Sequence, residues 1–378
     1  THACTRNGLI NSLASRVLGV ASRNQGFARQ WQVIQICNQV EVGAANNDDI
    51  KGWFCHPSTF THTTRVGVMS SRVKMILDCD PGHDDAMALV VAANHADLLG
   101  VTTVAGNAPI TATTRNARII LDMIGSTAPL HQGARRPLVA EPKDAAYVHG
   151  ESGLDGADLP EPSRPADSED AVQFIIDTCR KTEGIWLVPT GPLTNIALAL
   201  RTAPDIANKI AGISLMGGGT FGNRTTAAEF NIWADPEAAA MVFDYGGKLI
   251  MSGLDVTHKL QATPERIDKV RALPGKLAGV LADLFVFFSD VYVSRHDNMR
   301  GGAVHDPCAV LALTHPELFT MKDQHVVVET SGEHSRGMTL VDMRGLKERK
   351  NPNCTVVWDV DAEAAFNVIV ESIGAFSS

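Results

Sequence analysis

Four aspartates fall within eight residues, Asp78-x-Asp80-x-x-x-Asp84-Asp85. Carboxylates this close repel one another, so the cluster is costly unless a positive charge sits among them. Carboxylate oxygens suit a hard cation such as Ca2+ or Mg2+ and do not suit zinc. Capping explains part of the cluster without any metal: Asp84 and Asp85 can stabilise a helix start, and Asp78 can accept from nearby amides at a strand end. A second group is His305-Asp306 before Pro307, which offers a proton donor and a further oxygen ligand. A third joins Asn223, Glu229 and Asn231. Amides both donate and accept hydrogen bonds, so this set fits a polyhydroxylated ligand, although solvated loops use the same residues. Gly217-Gly218-Gly219 precedes it and can be a close-approach loop or a simple turn. No GxxxxGK[ST], GxGxxG after the first strand or GxSxG is present. That weighs against phosphate-loop, dinucleotide and serine-hydrolase chemistry.

The elements that must position these groups read as α/β. Val73–Leu77 (VKMIL) is a short run, apolar but for Lys74, as expected of a parallel strand buried on both faces. It ends in a turn at Asp80-Pro81-Gly82, and a helix starting near Asp84 follows. The alternation continues with a strand at Leu98–Val104, a helix at Arg115–Ile124, strands at Ile185–Val188, Ile213–Met216 and Lys248–Met251, and a helix at Leu281–Tyr292. The expected fold is an open, mostly parallel (mixed) sheet with helices on both faces, a Rossmann-like arrangement. The polar clusters fall at the strands' carboxyl ends, where such sheets bind ligands. Residues 141–168, rich in Pro, Gly and Asp, read as an inserted loop over one end of the sheet.

Composition narrows the class. The 378 residues are 44% hydrophobic and 20% charged, as in ordinary globular proteins. Apolar runs such as Ala86–Ala93, the longest, and Leu284–Phe288 are far short of a membrane span. A net charge of −9 without a dense basic block offers a nucleic acid little to bind. The seven cysteines are scattered without a CxxC pair, which argues against a disulfide framework or a thiolate zinc site. The first part of the chain differs: residues 1–68 carry six Lys/Arg against three acids, and the first methionine is Met69. Residues 1–70 are therefore read as an N-terminal extension, either upstream sequence or an organellar leader. Residues 71–378 are read as one catalytic domain, and a cytoplasmic location is expected.

ILDCDPGHDDAMAL resembles the N-terminal signature of the inosine-uridine-type nucleoside hydrolases. The segments Val104–Asn107, Leu187–Ala197, Leu215–Ala239 and Ala303–Val310 match in the same order, and His149–Gly156 resembles a family loop. The resemblance spans about residues 73–375. It implies the nucleoside hydrolase fold and Ca2+-dependent hydrolysis of the N-glycosidic bond of uridine, cytidine or inosine, in nucleoside salvage. It implies Ca2+ ligands Asp80, Asp85, the Thr190 carbonyl and Asp306, with Asp80 also the general base for the attacking water. Asp84, Asn107 and Asn231 would hold the 2′- and 3′-hydroxyls, Asn223 and Glu229 the 5′-hydroxyl, and Met216 would lie against the sugar. His305 would protonate the leaving base, and Asp78 would orient the ligand set. The partner is then a small ribonucleoside, with no nucleic acid or membrane, in a homodimer or homotetramer.

The resemblance stops at the base pocket. Tyr292 can stack on the base or bond to it, or simply belong to its helix. His149 and His296 are further candidates there, and the base preference stays open. Three other readings compete. A haloacid-dehalogenase-type phosphohydrolase also places DxD after a strand, but expects Thr or Ser soon after it and a later Lys, and would release phosphate. A non-catalytic nucleoside binder would not need both a water-activating carboxylate and a proton donor. A structural protein stapled by Ca2+ would have no ligand pocket.

Overall fold

A computed structural model describes residues 72–346 and 350–377. The 1–70 extension lies outside the described residues.

The chain alternates as read. Strand β1 (Lys74–Cys79) leads to helix α1 (His83–His95), then β2 (Asp97–Thr103), α2 (Ile110–Met123) and β3 (Leu130–Gln132). A short helix α3 (Ala146–His149) lies in the expected insertion. There follow α4 (Ala171–Lys181), β4 (Trp186–Pro189), α5 (Thr194–Thr202), β5 (Gly212–Met216), α6 (Phe230–Ala234) and α7 (Pro236–Phe243). Next come β6 (Leu249–Ser252), α8 (Leu254–Thr257), β7 (Gln261–Ala262), α9 (Pro264–Arg271), α10 (Gly275–Arg295), β8 (Gly302–Ala303) and α11 (Pro307–Thr314). The chain closes with β9 (Phe319–Gln324), β10 (Val326–Val328), β11 (Thr339–Val341), β12 (Cys354–Val360) and α12 (Ala362–Ala375).

Eight strands form one sheet in the order β3-β2-β1-β4-β5-β6-β12-β9. All pairs are parallel except β12 with β9, so the sheet is mixed only at that edge. From β1 the chain builds outward through β2 and β3, then returns to place β4 on the other side of β1. That reversal opens a crevice at the carboxyl ends of β1 and β4. The Thr190 amide donates to the Asp78 carbonyl at 2.8 Å, which puts the two post-strand turns side by side.

Helices cover both faces. On one side α1, α2, α10, α11 and α12 share a core, and on the other α4, α5 and α7 do. Helix α1 is buried from His83 to Ala92, against α11 and α12. The run AMALVVAA therefore shows no polar face, as expected for a helix enclosed by others. Helix α10 is longer than the sequence reading, 21 residues rather than Leu281–Tyr292. It is long and apolar enough in composition to cross a membrane, yet 56% of that stretch is buried within the protein. Scattered residues such as Asp283 and Ser289 break its apolar runs, which hid its length. Helix α2 likewise begins at Ile110, five residues before the expected start. The four described cysteines, Cys79, Cys179, Cys308 and Cys354, are buried and unpaired.

Candidate active site

The carboxylates gather at the β1/β4 crevice. Asp78, Asp80, Asp84, Asp85 and Asp306 are all essentially buried. Asp84, Asp85 and Asp306 each offer an oxygen, and these oxygens lie within 4.8 Å of one another. Asp84 and Asp85 come from the first turn of α1 and Asp306 from the start of α11, two helices that pack together. The Gly82 amide donates to Asp85 Oδ2 at 3.0 Å, and the Thr190 hydroxyl and Asn107 amide add bonds of 2.8 and 3.1 Å to the same carboxylate. Capping is thus real at Asp85, yet its carboxylate still converges with those of Asp84 and Asp306, and Asp80 is not among these three.

Asp80 and Asp78 each keep one buried carboxylate oxygen without a partner, Oδ1 and Oδ2 respectively. The Asp80 carboxylate accepts at Oδ2 from the Asn107 backbone at 2.6 Å. Its buried Oδ1 has no hydrogen-bond partner. Two glycines press on it: a Cβ on Gly106 would lie 2.0 Å from one carboxylate oxygen, and a Cβ on Gly191 2.5 Å from the other. Burial and the neighbouring Asp85 hold the Asp80 carboxyl well above its usual range. Burial, then Asp84, does the same to Asp306. Burial followed by Asp85 pushes Asp84 up to about 7. A buried oxygen without a partner among mutually repelling carboxylates is the donor set a hard cation requires.

Asp78 lies behind this group. Its Oδ1 accepts from Thr102 at 2.6 Å and Asn195 at 2.8 Å, and burial pushes its carboxyl up to about 7.

Above the carboxylates lies a pocket whose wall includes Asp84, Asn107, Thr190, Met216, Asn223, Glu229, Asn231, Tyr292, His149, His305 and Asp306. Asn231 donates to the Thr190 carbonyl at 2.7 Å and to the Met216 carbonyl at 3.2 Å, joining β4 to β5. Glu229 caps α6 by accepting from Asn231 and Ile232, at 3.0 and 3.1 Å, and also holds the Gly218 amide at 3.0 Å. The triple glycine is therefore tied to Glu229 through its backbone. Asn223 is exposed at the rim and accepts from the Phe230 amide at 3.0 Å.

At the far end His305 is held at both ring nitrogens. Its Nε2 lies 2.6 Å from the Tyr292 hydroxyl and its Nδ1 2.7 Å from Thr257. Its amide donates to Asp84 at 3.1 Å. Burial, with His258 and His296 nearby, holds the His305 imidazole well below its ordinary value. His296 is not in the pocket wall; it stacks on Tyr292, ring centroids 5.3 Å apart.

The insertion supplies His149 and Tyr147 to the wall. Tyr147 lies between two guanidiniums, Arg295 at 4.9 Å and Arg224 at 5.5 Å from its ring centroid. Sequence reasoning did not single out Tyr147, Phe288, Thr257, His258 or His83. Thr257 and His258 follow β6, so their place after a strand was the available signal. Phe288 was hidden inside an apolar run.

A doubly wound sheet with a carboxylate-lined pocket at its switch point defines an α/β protein with a small-molecule site at the strands' carboxyl ends. Residues 75–367 match the sequence profile of the inosine-uridine preferring nucleoside hydrolase family, and the chain belongs to that family. It is 42% identical to the pyrimidine-specific ribonucleoside hydrolase RihA of Enterobacter sp. (strain 638), over 80% of this chain and 98% of that protein. It is 44% identical to the pyrimidine-specific ribonucleoside hydrolase RihA of Shewanella woodyi, with the same coverage. Among solved structures, the purine-preferring ribonucleoside hydrolase from Gardnerella vaginalis superposes with a TM-score of 0.76 at 33% identity, over 80% of this chain and 99% of that one. The enzyme hydrolyses ribonucleosides to ribose and free base. The phosphohydrolase, non-catalytic and purely structural readings are set aside.

Proposed function

We propose that the substrates are pyrimidine ribonucleosides, uridine and cytidine, with inosine cleaved more slowly, and that the ion held is Ca2+. The preference is supported by two relatives named pyrimidine-specific at 42% and 44% identity, against 33% for the purine-preferring structure. The observation that carries the mechanism is the convergence of the Asp84, Asp85 and Asp306 oxygens within 4.8 Å, with the buried, partnerless Asp80 Oδ1 in a carboxylate that Asp85 and Asp84 repel. Asp80, Asp85, Asp306 and the Thr190 carbonyl would hold the ion; that carbonyl has a second lone pair beyond the one used by Asn231. When bound, Ca2+ supplies positive charge that offsets the carboxylate repulsion and eases deprotonation of water.

The protein groups do the rest. Asp84, Asn107 and Asn231 grip the 2′- and 3′-hydroxyls, Asn223 and Glu229 the 5′-hydroxyl, and Met216 supports the sugar. As the bond from C1′ to the base nitrogen lengthens, positive charge builds on C1′ and the ring oxygen, and the buried carboxylates stabilise it. The bond's electron pair leaves with the base. The water oxygen bonds to C1′ and its proton passes to Asp80. A proton from the Tyr292–His305 pair neutralises the departing base. Asp78 fixes the carboxyl end of β1 through Thr102 and Asn195. Catalysis belongs to residues 71–378, and assembly is as a homodimer or homotetramer.

The test is reducing-sugar release from uridine, cytidine and inosine, with Ca2+ and after chelation, beside Asp80→Asn. Pyrimidine nucleosides should be cleaved fastest. Asp80→Asn should lower kcat by roughly 10²–10⁴-fold. Inosine preferred over uridine would refute the substrate ranking, and an active Asp80→Asn would refute the base.

A further inference from the structure

Behind the pocket wall, His83 and His149 form a buried imidazole pair. His149 lines the pocket and His83 does not. His83 Nε2 lies 2.8 Å from the Asp155 carbonyl oxygen. A carbonyl only accepts, so this nitrogen carries a proton. The His83 ring lies nearly parallel to those of Phe287 and Phe288, with centroids 5.2 and 5.4 Å away, surroundings that favour a neutral ring. A neutral ring protonated at Nε2 leaves Nδ1 bare. That Nδ1 is 3.0 Å from His149 Nδ1. His149 must donate there, which leaves its own Nε2 as an unprotonated lone pair. The reverse assignment would aim a lone pair of His83 at the Asp155 carbonyl. It would gain only the longer contact of 3.3 Å from the His83 amide to His149 Nδ1.

The surroundings fix this arrangement. The Asp155 carboxylate accepts from the Glu151 and Ser152 amides at 3.1 and 3.3 Å, closing the loop that presents its carbonyl. A Cβ on Gly82 would lie 2.6 Å from His149, so only glycine lets that ring approach.

We propose that His83, held by the Asp155 carbonyl, locks His149 in the Nδ1–H tautomer, so that His149 Nε2 accepts a hydrogen bond from an N–H or O–H group of the bound nucleoside. His83 is then a positioning residue. His149, having no proton on the nitrogen it offers, is not the acid for the leaving base. The identity of the ligand rests on the ribonucleoside reading above; the tautomer does not.

The test uses the full chain labelled with 15N-histidine. Long-range 1H–15N correlation, with His149→Gln for assignment, reads the tautomer without substrate. The expected result is a proton on Nδ1 of His149. In His83→Leu the backbone amide of residue 83 becomes the available partner for Nδ1, so the proton should move to Nε2 and KM for uridine should rise roughly tenfold. In His83→Asn, Oδ1 replaces the lost acceptor, and both tautomer and KM should return towards those of the unsubstituted enzyme. Uridine analogues separate the two donors: 3-methyluridine lacks the base N–H and 5′-deoxyuridine lacks the 5′-hydroxyl. The analogue missing the true donor should be insensitive to His83→Leu, and sensitivity of both overturns the acceptor role. An Nε2–H tautomer in the unsubstituted protein overturns the proposal whether or not any nucleoside is cleaved. A His83→Leu protein unchanged in tautomer also overturns it. Should His83→Leu fail to fold, the unsubstituted spectrum and His83→Asn still decide.

Discussion

At the scale of single residues, the site works by leaving chosen atoms unsatisfied. Most buried polar atoms in a folded protein have partners, and the orphaned Asp80 Oδ1, in a carboxylate repelled by Asp85 and Asp84, is the atom the proposed ion would satisfy. In the ion-free protein Asp80→Asn should therefore raise the melting temperature even as it removes activity, because it deletes a charge that burial and Asp85 both oppose. Thermal unfolding after chelation checks this. Tyr292 and His305 form the pair proposed to protonate the leaving base at the opposite end of the site. Removing the hydroxyl that lies 2.6 Å from His305 Nε2, in Tyr292→Phe, should slow uridine hydrolysis by about 10²-fold. A nitrophenyl riboside, whose leaving group needs no proton, should be affected far less. Equal losses on both substrates would mean that Tyr292 acts by shaping the pocket.

At the scale of elements, each site residue owes its place to a strand end or a helix start. Glu229 shows the coupling. It caps α6, a helix of five residues, and reaches back to the Gly218 amide after β5. Glu229→Ala should leave three buried amides without their acceptor and cost about 2 kcal/mol in chemical denaturation, with KM rising because Asn231 rides on the same helix. An unchanged denaturation midpoint would show that water replaces the carboxylate at those amides. Helix α10 makes a different contribution. Its buried side carries Phe288 and Tyr292 to the pocket while the rest packs into the core.

At the scale of the whole molecule, the carboxylate floor couples stability to pH and to the ion. Asp78 and Asp84 are raised from an ordinary 3.8 to about 7 in the folded protein. Between those values the folded chain binds protons that the unfolded chain has lost. The stability these groups contribute is present below the unfolded value and is lost as pH rises towards 7. The ion-free protein should therefore become less stable from pH 5 to pH 7. The proposed Ca2+ would require the charged carboxylates and offset their repulsion, so the rise in melting temperature on adding Ca2+ should grow over the same range. A rise that stays constant with pH would show that these carboxyls are already ionised without the ion.

The sequence by itself determined the alternation of strands and helices, because fully apolar runs and post-strand turns are local signals. It also carried the family: ILDCDPGHDDAMAL and four further segments in order resemble the nucleoside hydrolases, which the profile match bears out, whereas the aspartates taken alone were open to helix capping as well as to a cation. Element boundaries were less legible. Helix α10 is interrupted by polar residues such as the exposed Asp283 and the buried Ser289, whose hydroxyl bonds to Ala262 and Gly302, so its length shows only once its neighbours are in place. The insertion at 141–168 could be seen, but nothing local said that it would bring Tyr147 and His149 to the pocket. What the tertiary structure alone decided is which atoms are left without partners. Asp80 Oδ1 is orphaned where Gly191, after β4, closes on it while Gly106, after β2, closes on Oδ2, and the pairing of Tyr292 with His305 depends on the end of α10 lying beside the turn before α11. These contacts join residues far apart in the chain, and hydrogen-bond satisfaction is a property of the packed whole.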